Sequence, residues 1–192
     1  ILSGPTFAID LAKNNLCGLT LASSFDTNKK ILNSIQSNYL MIDETNDIIG
    51  TEICGSIKNV MAIIFGMLEE MKVSNSTKAL FFTEALKEIE HLIEFYHGNP
   101  KTITSLAGIG DFYLTCNSKE SRNYQLGIMI ASSDKEKVKE YLENNTVEGF
   151  YTLLSIYKMI TTNQISSPLI EKLYQIIFED KKKEDLLITF TK

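Results

Sequence analysis

The stretch from Asn46 to Lys72 constrains the fold most, because nearly every residue between Ile53 and Leu68 is apolar or small. On a helix, residues at every fourth position lie on one slowly drifting stripe. This stripe consists of small side chains around a single long one: Gly50, Cys54, Lys58, Ala62 and Gly66. Small side chains let another backbone approach closely, so the sequence predicts a long helix against which a further part of the chain packs.

Lys58 is the only long residue of this stripe. A buried ammonium is costly unless it is paired or loses its charge, and lysines in such surroundings are candidates for proton transfer or anion binding. A lysine whose stem covers apolar surface while its amine reaches water gives the same pattern. The spacing alone leaves both interpretations open.

Charge and cysteine usage narrow the possible partners. The net charge of −5 argues against a nucleic-acid partner, since no basic stripe would neutralise phosphates.

Lys58 and Asn59 interrupt the longest apolar run, which predicts no membrane span. The three cysteines are widely spaced and form no CxxC pair, and the chain has only two histidines. This pattern predicts free thiols in a reducing, cytoplasmic compartment and no metal site.

The chain contains eighteen lysines and one arginine, Arg122. Arginine offers a planar, bidentate contact with phosphate or carboxylate that lysine does not. Arg122 lies in the run Ser121–Arg122–Asn123 at a predicted helix start, where backbone amides add to a phosphate-binding cradle. Polar residues are also common at helix starts for structural reasons, and one arginine can fall anywhere by chance, so both interpretations stay open.

The order of predicted elements indicates an α/β segment followed by an all-α domain. Residues 1–45 contain two strands, Leu16–Ala22 and Tyr39–Asp43, with a helix between them for which Asp26 is the predicted N-cap. After Glu44 only helices are predicted. The first is capped by Thr45 or Asn46, and the second, from about Ser76 to Tyr96, ends at Gly98. Because the chain lacks an initiating Met, we expect it to be part of a longer protein.

The segment AGIGDFYLTC holds Gly108 and Gly110, but Tyr113 occupies the place of the third glycine of a dinucleotide fingerprint. The segment also follows a predicted helix rather than a strand, so we do not interpret it as a nucleotide loop. The glycines instead predict a sharp turn into a helix that begins at Asp111. Asp111 is then either the N-cap of that helix or a carboxylate directed at a site.

Several segments, taken in order, resemble the NAD(P)-dependent glycerol-3-phosphate dehydrogenases of bacterial type. They are LSGPTFA (2–8), IGTEICGSIKNV (49–60), LAGIGDFYLTCNSKESRN (106–123), TVEGFYT (146–152) and SSPLIEKLYQIIFED (166–180). The resemblance implies the edge of an incomplete Rossmann domain (1–45) and an all-α substrate-binding and catalytic domain (46–192) like the C-terminal domain of 6-phosphogluconate dehydrogenase. It further implies a cytoplasmic homodimer that transfers hydride reversibly between NAD(P)H and dihydroxyacetone phosphate, giving sn-glycerol 3-phosphate, a phospholipid precursor.

The same resemblance assigns roles to individual residues. Lys58 is implied as the catalytic acid/base, with Asp111 as the acid that assists it. The implied substrate-binding residues are Gly4, Thr6, Lys58, Asn59, Asp111, Thr115, Ser121, Arg122 and Asn123. The implied cofactor-binding residues are Ala8, Arg122, Thr146 and Glu148. No metal is implied.

The chain departs from the family upstream of LSGP, where the glycine-rich phosphate loop and a second active-site lysine are expected. The residues that distinguish NAD from NADP belong to that part as well, so the implied cofactor is NAD or NADP. Without the phosphate loop, we expect this chain alone to have little or no dehydrogenase activity. The alternatives are an inactive remnant, a helical association module, or another dehydrogenase such as a ketopantoate reductase or a hydroxyacid dehydrogenase. The GD…TC…SRN run argues against the last.

Overall fold

A computed structural model describes residues 1–23, 28–35, 37–132 and 135–190. The strands are β1 (Leu2–Ser3), β2 (Cys17–Ala22) and β3 (Leu40–Thr45). The α-helices are α1 (Ala8–Ala12), α2 (Asn28–Ile35), α3 (Ile48–Glu70), α4 (Asn75–Phe95), α5 (Asp111–Asn117), α6 (Arg122–Ser132), α7 (Lys135–Asn144), α8 (Glu148–Thr162) and α9 (Pro168–Phe178). Shorter helical turns are Pro100–Thr104, Leu106–Gly110 and Lys183–Leu186.

The three strands form one sheet in the order β1-β2-β3. β1 is antiparallel to β2, whereas β2 and β3 are parallel, with Thr20 opposite Asp43. β2 is almost entirely buried, as expected for a central strand that is covered on both faces. The predicted strands are confirmed to within two residues, whereas β1 was not expected because two residues carry no periodicity. The predicted N-cap Asp26 lies outside the described residues.

Beyond Thr45, the elements of the described ranges are all helical, which confirms the expected α/β edge followed by an all-α part. Two compact units divide the chain. The first comprises Ile1–Gly55 and Ile89–Thr115, and the second comprises Ser56–Glu88 and Cys116–Lys192. The boundary expected near residue 45 stays a prediction.

Asp47, and not Thr45 or Asn46, caps the long helix α3. Its Oδ1 accepts a hydrogen bond from the Gly50 backbone N–H at 3.0 Å, and its Oδ2 accepts from the Asn99 N–H at 3.0 Å and from the Thr102 hydroxyl. Thr45 instead accepts from the Asp47 N–H through its hydroxyl. The cap prediction was therefore wrong by one or two residues, because two distant partners favour Asp47.

Helix α4 ends in a Schellman motif centred on His97 rather than on Gly98. His97 has a positive φ of 61°, and the Gly98 N–H donates to the Ile93 carbonyl at 2.9 Å. Gly98 is required for a different reason. A Cβ there would lie 2.9 Å from Ile93 Cγ2 and 3.0 Å from the Gly50 nitrogen, so the chain passes too close to its neighbours for a side chain.

Helix α9 receives its N-terminal cap from α4. Glu88 is buried, and its two carboxylate oxygens accept hydrogen bonds from the Ser167 hydroxyl at 2.6 Å and from the Leu169 N–H at 2.7 Å. Burial raises the pKa of Glu88 to about 7, although these hydrogen bonds act in the opposite direction. Pro168 follows at the first helical position, where its missing N–H costs nothing.

By length and composition, helix α3 could cross a membrane. No other helix in the described ranges meets this criterion. Most of its apolar window, 61%, is buried within the protein. A core helix of a globular fold passes the same test, so this is weak evidence for a span.

Candidate active site

The small-residue stripe of α3 contacts a backbone, as its composition predicts. A Cβ on Gly66 would lie 1.9 Å from the Tyr124 carbonyl oxygen in α6, and a Cβ on Gly127 of α6 would lie 1.9 Å from the Ile63 carbonyl oxygen. The two helices therefore touch backbone to backbone, through one glycine from each. Lys58 and Arg122 belong to these two helices, Lys58 to α3 and Arg122 to α6.

A hydrogen-bond network built on two buried amide side chains joins α3, α6 and α8 near this crossing. The side-chain nitrogen of Asn123 donates to Asn59 Oδ1 at 2.9 Å, and Asn123 Oδ1 accepts from the Gly149 N–H at 2.8 Å. The side-chain nitrogen of Asn59 donates to Glu148 Oε2 at 3.0 Å. Three predicted site residues, Asn59, Asn123 and Glu148, are thus brought together, and each holds the next in place.

Gly149 completes this network, and sequence reasoning missed it. A Cβ on Gly149 would lie 2.3 Å from the Asn59 carbonyl oxygen, so only glycine lets the first turn of α8 lie against the backbone of α3. Val147 precedes the helix and has no capping side chain. The Asn123 amide takes over that function from another helix. The only signal in the sequence is a glycine placed where a helix begins.

Lys58 and Arg122 are both at least partly accessible. Lys58 is half-buried on α3 between the buried residues Ile57 and Asn59. Arg122 is exposed at the start of α6, directly after the capping residue Ser121, whose hydroxyl accepts from the Tyr124 N–H at 3.3 Å. The predicted helix start at the SRN run is therefore confirmed. The Ser121 hydroxyl caps the helix, and Arg122 is the exposed residue of its first turn.

The four residues expected to contact the cofactor are all exposed. They are Ala8, Arg122, Thr146 and Glu148. Glu148 occupies the first turn of α8, where a negative charge is favourable beside the helix N-terminus. Exposure fits side chains that would meet a bound dinucleotide, whereas most of the expected substrate-binding residues are buried or half-buried.

Within the first compact unit, Asp111 is a buried carboxylate held by two hydroxyl groups. Ser3 Oγ donates to Asp111 Oδ2 at 3.2 Å. Thr115 Oγ1 donates to the Asp111 carbonyl oxygen at 2.7 Å and lies 3.4 Å from Oδ1. Asp111 already has helical backbone angles, φ −71° and ψ −32°, which an N-cap residue does not. The N-cap alternative is therefore wrong, and the carboxylate is directed into the protein.

The loop after β1 is fastened to β2 at Gly18. A Cβ on Gly4 would lie 2.6 Å from the Gly18 carbonyl oxygen, and the Thr6 hydroxyl donates to the same oxygen at 2.8 Å. Both predicted substrate-side residues thus have a structural function in shaping this loop. Ala8, which follows them, is exposed at the start of α1.

The turn before Asp111 is also bound to the sheet. The Ala107 N–H donates to Thr20 Oγ1 at 3.1 Å, and Ser105 accepts from the Gly108 N–H at 3.1 Å as the cap of the π-helical turn. A Cβ on Gly108 would lie 2.3 Å from the Ile103 carbonyl oxygen. The glycines of this segment therefore allow the predicted sharp turn into α5, and no strand precedes it as a dinucleotide loop would require.

Cys54 lies on the α3 stripe within the same unit and is buried. Burial and the negative charges of Asp47 and Asp111 raise the pKa of this thiol to about 12. Cys54 therefore stays a neutral, apolar side chain at physiological pH. Its place in the stripe reflects its small size.

Comparison with known proteins shows which family this fold and these candidate site residues belong to. Residues 47–188 match the family described as NAD-dependent glycerol-3-phosphate dehydrogenase, C-terminus.

The chain belongs to the glycerol-3-phosphate dehydrogenase family.

The family includes a curated glycerol-3-phosphate dehydrogenase [NAD(P)+] from Thermotoga sp. (strain RQ2), which is 34% identical over 94% of this chain and 56% of its own length. A second, from Aster yellows witches'-broom phytoplasma (strain AYWB), is 34% identical over 98% of this chain and 56% of its own length. The crystal structure of glycerol-3-phosphate dehydrogenase from Coxiella burnetii superimposes with a TM-score of 0.91 at 29% identity, covering 97% of this chain and 57% of that one. The chain thus spans a little over half the length of these dehydrogenases.

Proposed function

We propose that this chain is the catalytic C-terminal part of an NAD(P)-dependent glycerol-3-phosphate dehydrogenase. The reaction is reversible hydride transfer to C2 of dihydroxyacetone phosphate, which yields sn-glycerol 3-phosphate. The observation that carries the proposal is the hydrogen-bond network in which the buried amides of Asn59 and Asn123 meet the exposed Glu148, next to Lys58 in the chain and within the segment that matches the family. Such a network holds a reactive group in a fixed place, as catalysis requires.

Lys58 is the acid/base group in this proposal. During reduction its ammonium gives a proton to the oxygen on C2, and during oxidation its amine takes that proton back. Bound NADH or NADPH supplies the hydride. The half-buried placement of Lys58 next to Asn59 supports this role, because the stem is held beside a fixed network while the side chain remains partly accessible.

Asp111 and Arg122 have complementary roles. Asp111 supplies the carboxylate that assists the lysine, and its burial and two hydroxyl contacts suit a group whose orientation matters. Arg122 binds the substrate phosphate through its planar guanidinium, which matches phosphate oxygens two at a time. Ser121 and Asn123 support Arg122 by fixing the start of α6. The exposed residues Ala8, Arg122, Thr146 and Glu148 would contact NAD or NADP, with Thr146 and Glu148 near its nicotinamide end.

We also propose a cytoplasmic location and a homodimer. The location is supported by Cys17, Cys54 and Cys116, which are buried thiols outside any disulfide, of the kind that persist in a reducing compartment. The homodimer rests on the family resemblance alone.

The test uses a complete enzyme in which this chain is joined to the cofactor-binding half of the Thermotoga relative. We expect it to oxidise NADH or NADPH with dihydroxyacetone phosphate, whereas the chain alone has little or no activity. Lys58→Ala lowers kcat about 100-fold or more, because general acid catalysis contributes on that order. The matched control is Lys158→Ala, which removes an exposed lysine of α8 and leaves kcat unchanged.

Two results would contradict the proposal. One is a folded complete enzyme without activity on dihydroxyacetone phosphate, which favours the inactive remnant or the helical association module. The other is a Lys58→Ala variant with the kcat of the parent, which removes the acid/base role from Lys58.

A further inference from the structure

We propose that Ser3 is a positioning residue that holds the carboxylate of Asp111 in its reactive orientation. This inference rests on the proposed function, in which Asp111 assists proton transfer. Ser3 lies in the two-residue strand β1, far from Asp111 in sequence, and its hydroxyl donates to Asp111 Oδ2 at 3.2 Å.

The carboxylate of Asp111 is held at both of its oxygens. Thr115 is one turn further along the same helix, and its hydroxyl lies 3.4 Å from Oδ1 while donating to the Asp111 main chain at 2.7 Å. Thr115 therefore follows any movement of α5 and cannot hold the carboxylate relative to the sheet. Ser3 does so, because it belongs to a different element.

The sheet fixes where Ser3 sits. Ser3 pairs with Thr20 across β1 and β2, and Thr20 accepts a hydrogen bond from the Ala107 N–H at 3.1 Å. Ser3 and Thr20, which oppose each other in the sheet, thus bind the same segment. Thr20 binds the turn before α5, and Ser3 binds the Asp111 carboxylate. Their pairing sets the distance between these two attachments.

The surroundings of Ser3 leave room for its hydroxyl and constrain the loop beside it. A Cβ on Gly55 would lie 3.5 Å from Ser3 Oγ, which is ordinary contact distance. A Cβ on Gly110 would lie 3.3 Å from Pro5 Cγ, so the loop after Ser3 also meets the turn before Asp111 closely. The hydroxyl is therefore presented by backbone that is itself packed in place.

Loss of this hydroxyl should affect the chemical step more than substrate binding. The Asp111 carboxylate would keep its Thr115 contact but lose the hydrogen bond that it accepts from the sheet. A hydrogen bond to a charged group contributes enough that kcat should fall roughly tenfold. The KM for dihydroxyacetone phosphate should stay within about twofold, since the phosphate is bound elsewhere.

The experiment compares four variants of the complete enzyme: Ser3→Ala, Ser3→Thr, Ser34→Ala and Asp111→Asn. We expect Ser3→Ala to lower kcat and to raise the primary isotope effect measured with deuterated NADH, because hydride transfer becomes more rate-limiting. Ser3→Thr keeps a hydroxyl and restores most of the loss. Ser34→Ala removes an exposed hydroxyl bonded to its own helix and changes neither quantity.

The outcomes separate the inference from the function on which it rests. If Asp111→Asn abolishes turnover while Ser3→Ala keeps the parent kcat and isotope effect, Ser3 does not position Asp111 and the proposed function stands. If Asp111→Asn retains full turnover, the catalytic role of Asp111 fails, and the positioning role fails with it. A third outcome is that Ser3→Ala lowers kcat and the melting temperature but leaves the isotope effect unchanged, and that Ser3→Thr does not restore kcat. This result indicates a purely structural serine and also overturns the inference.

Discussion

Asn123 accepts a hydrogen bond from the backbone N–H of Gly149 at 2.8 Å, so a side chain of α6 caps helix α8. The other end of the same amide donates to Asn59 on α3. One side chain thus determines how three helices meet. Substrate binding, which the family resemblance implies for Asn123, has to operate alongside this structural function.

Asn123→Ala should destabilise the protein and lower activity together. The substitution leaves the buried Gly149 N–H and Asn59 Oδ1 without these partners, which costs about 2–4 kcal/mol of unfolding free energy. Urea unfolding of the complete enzyme measures the change. Asn144→Ala is the control, because it removes an exposed amide that bonds only its own helix, and it should change stability by less than about 0.5 kcal/mol. Equal stability of the two variants would show that the network contributes nothing.

Arg122→Lys should raise the KM for dihydroxyacetone phosphate about tenfold while kcat falls much less, because lysine keeps the charge but loses the two-point contact with phosphate. Steady-state kinetics of the complete enzyme provide both values. Lys119→Arg, a change between the same two residue types at an exposed position before α6, serves as the control. An unchanged KM in Arg122→Lys would remove the phosphate-binding role from this arginine.

Gly127→Ala should be among the most destabilising single-methyl additions in the chain. The added Cβ would lie 1.9 Å from the Ile63 carbonyl oxygen, which is backbone and has to move with its helix. Overpacking of this kind costs about 1–3 kcal/mol or more. Gly55→Ala is the matched control, because its Cβ would meet nothing closer than 3.5 Å and alanine favours a helix. Thermal unfolding that ranks the two variants equally would contradict the close crossing.

Stability should decrease as the pH rises between about 4.5 and 7, through Glu88. Its pKa is raised from 4.5 to about 7 in the folded protein, so the folded state holds this proton more tightly than the unfolded state does. The resulting stabilisation is complete below pH 4.5 and is lost as the pH passes 7, a change on the order of 3 kcal/mol.

Glu88→Gln isolates this contribution because glutamine does not titrate. Urea midpoints at a series of pH values should show a slope for the parent that is flatter in Glu88→Gln. Glu52→Gln, at an exposed position of α3, should retain the slope of the parent. Parallel profiles for the parent and Glu88→Gln would contradict the raised pKa.

The sequence was informative where the pattern is local. The α3 stripe predicted a close backbone approach, and Gly66 makes that contact with α6. Caps were less predictable. Thr45, Asn46 and Asp47 are adjacent polar residues that all suit an N-cap, and the distant partners Asn99 and Thr102 favour Asp47.

In the candidate site too, local motifs were predictable from the sequence, whereas contacts between distant residues were not. Family motifs single out Asn59, Asn123 and Glu148, but no spacing rule predicts that these side chains bond to one another. Asp111 resembled an N-cap because a glycine-rich turn precedes it, and the structure shows that Asp111 itself already has helical backbone angles. Ser3 lay inside a motif without a signal of its own, because its partner is distant in the sequence.

The glycine crossing of α3 and α6 also has a consequence for the order in which the chain folds. Each glycine inside a helix costs about 1 kcal/mol relative to alanine, so neither helix is strong in isolation. The compensation comes only when Gly66 and Gly127 meet the opposite backbone. We therefore expect the two helices to become ordered in one cooperative step, with their docking, rather than helix formation itself, as the event that limits the rate.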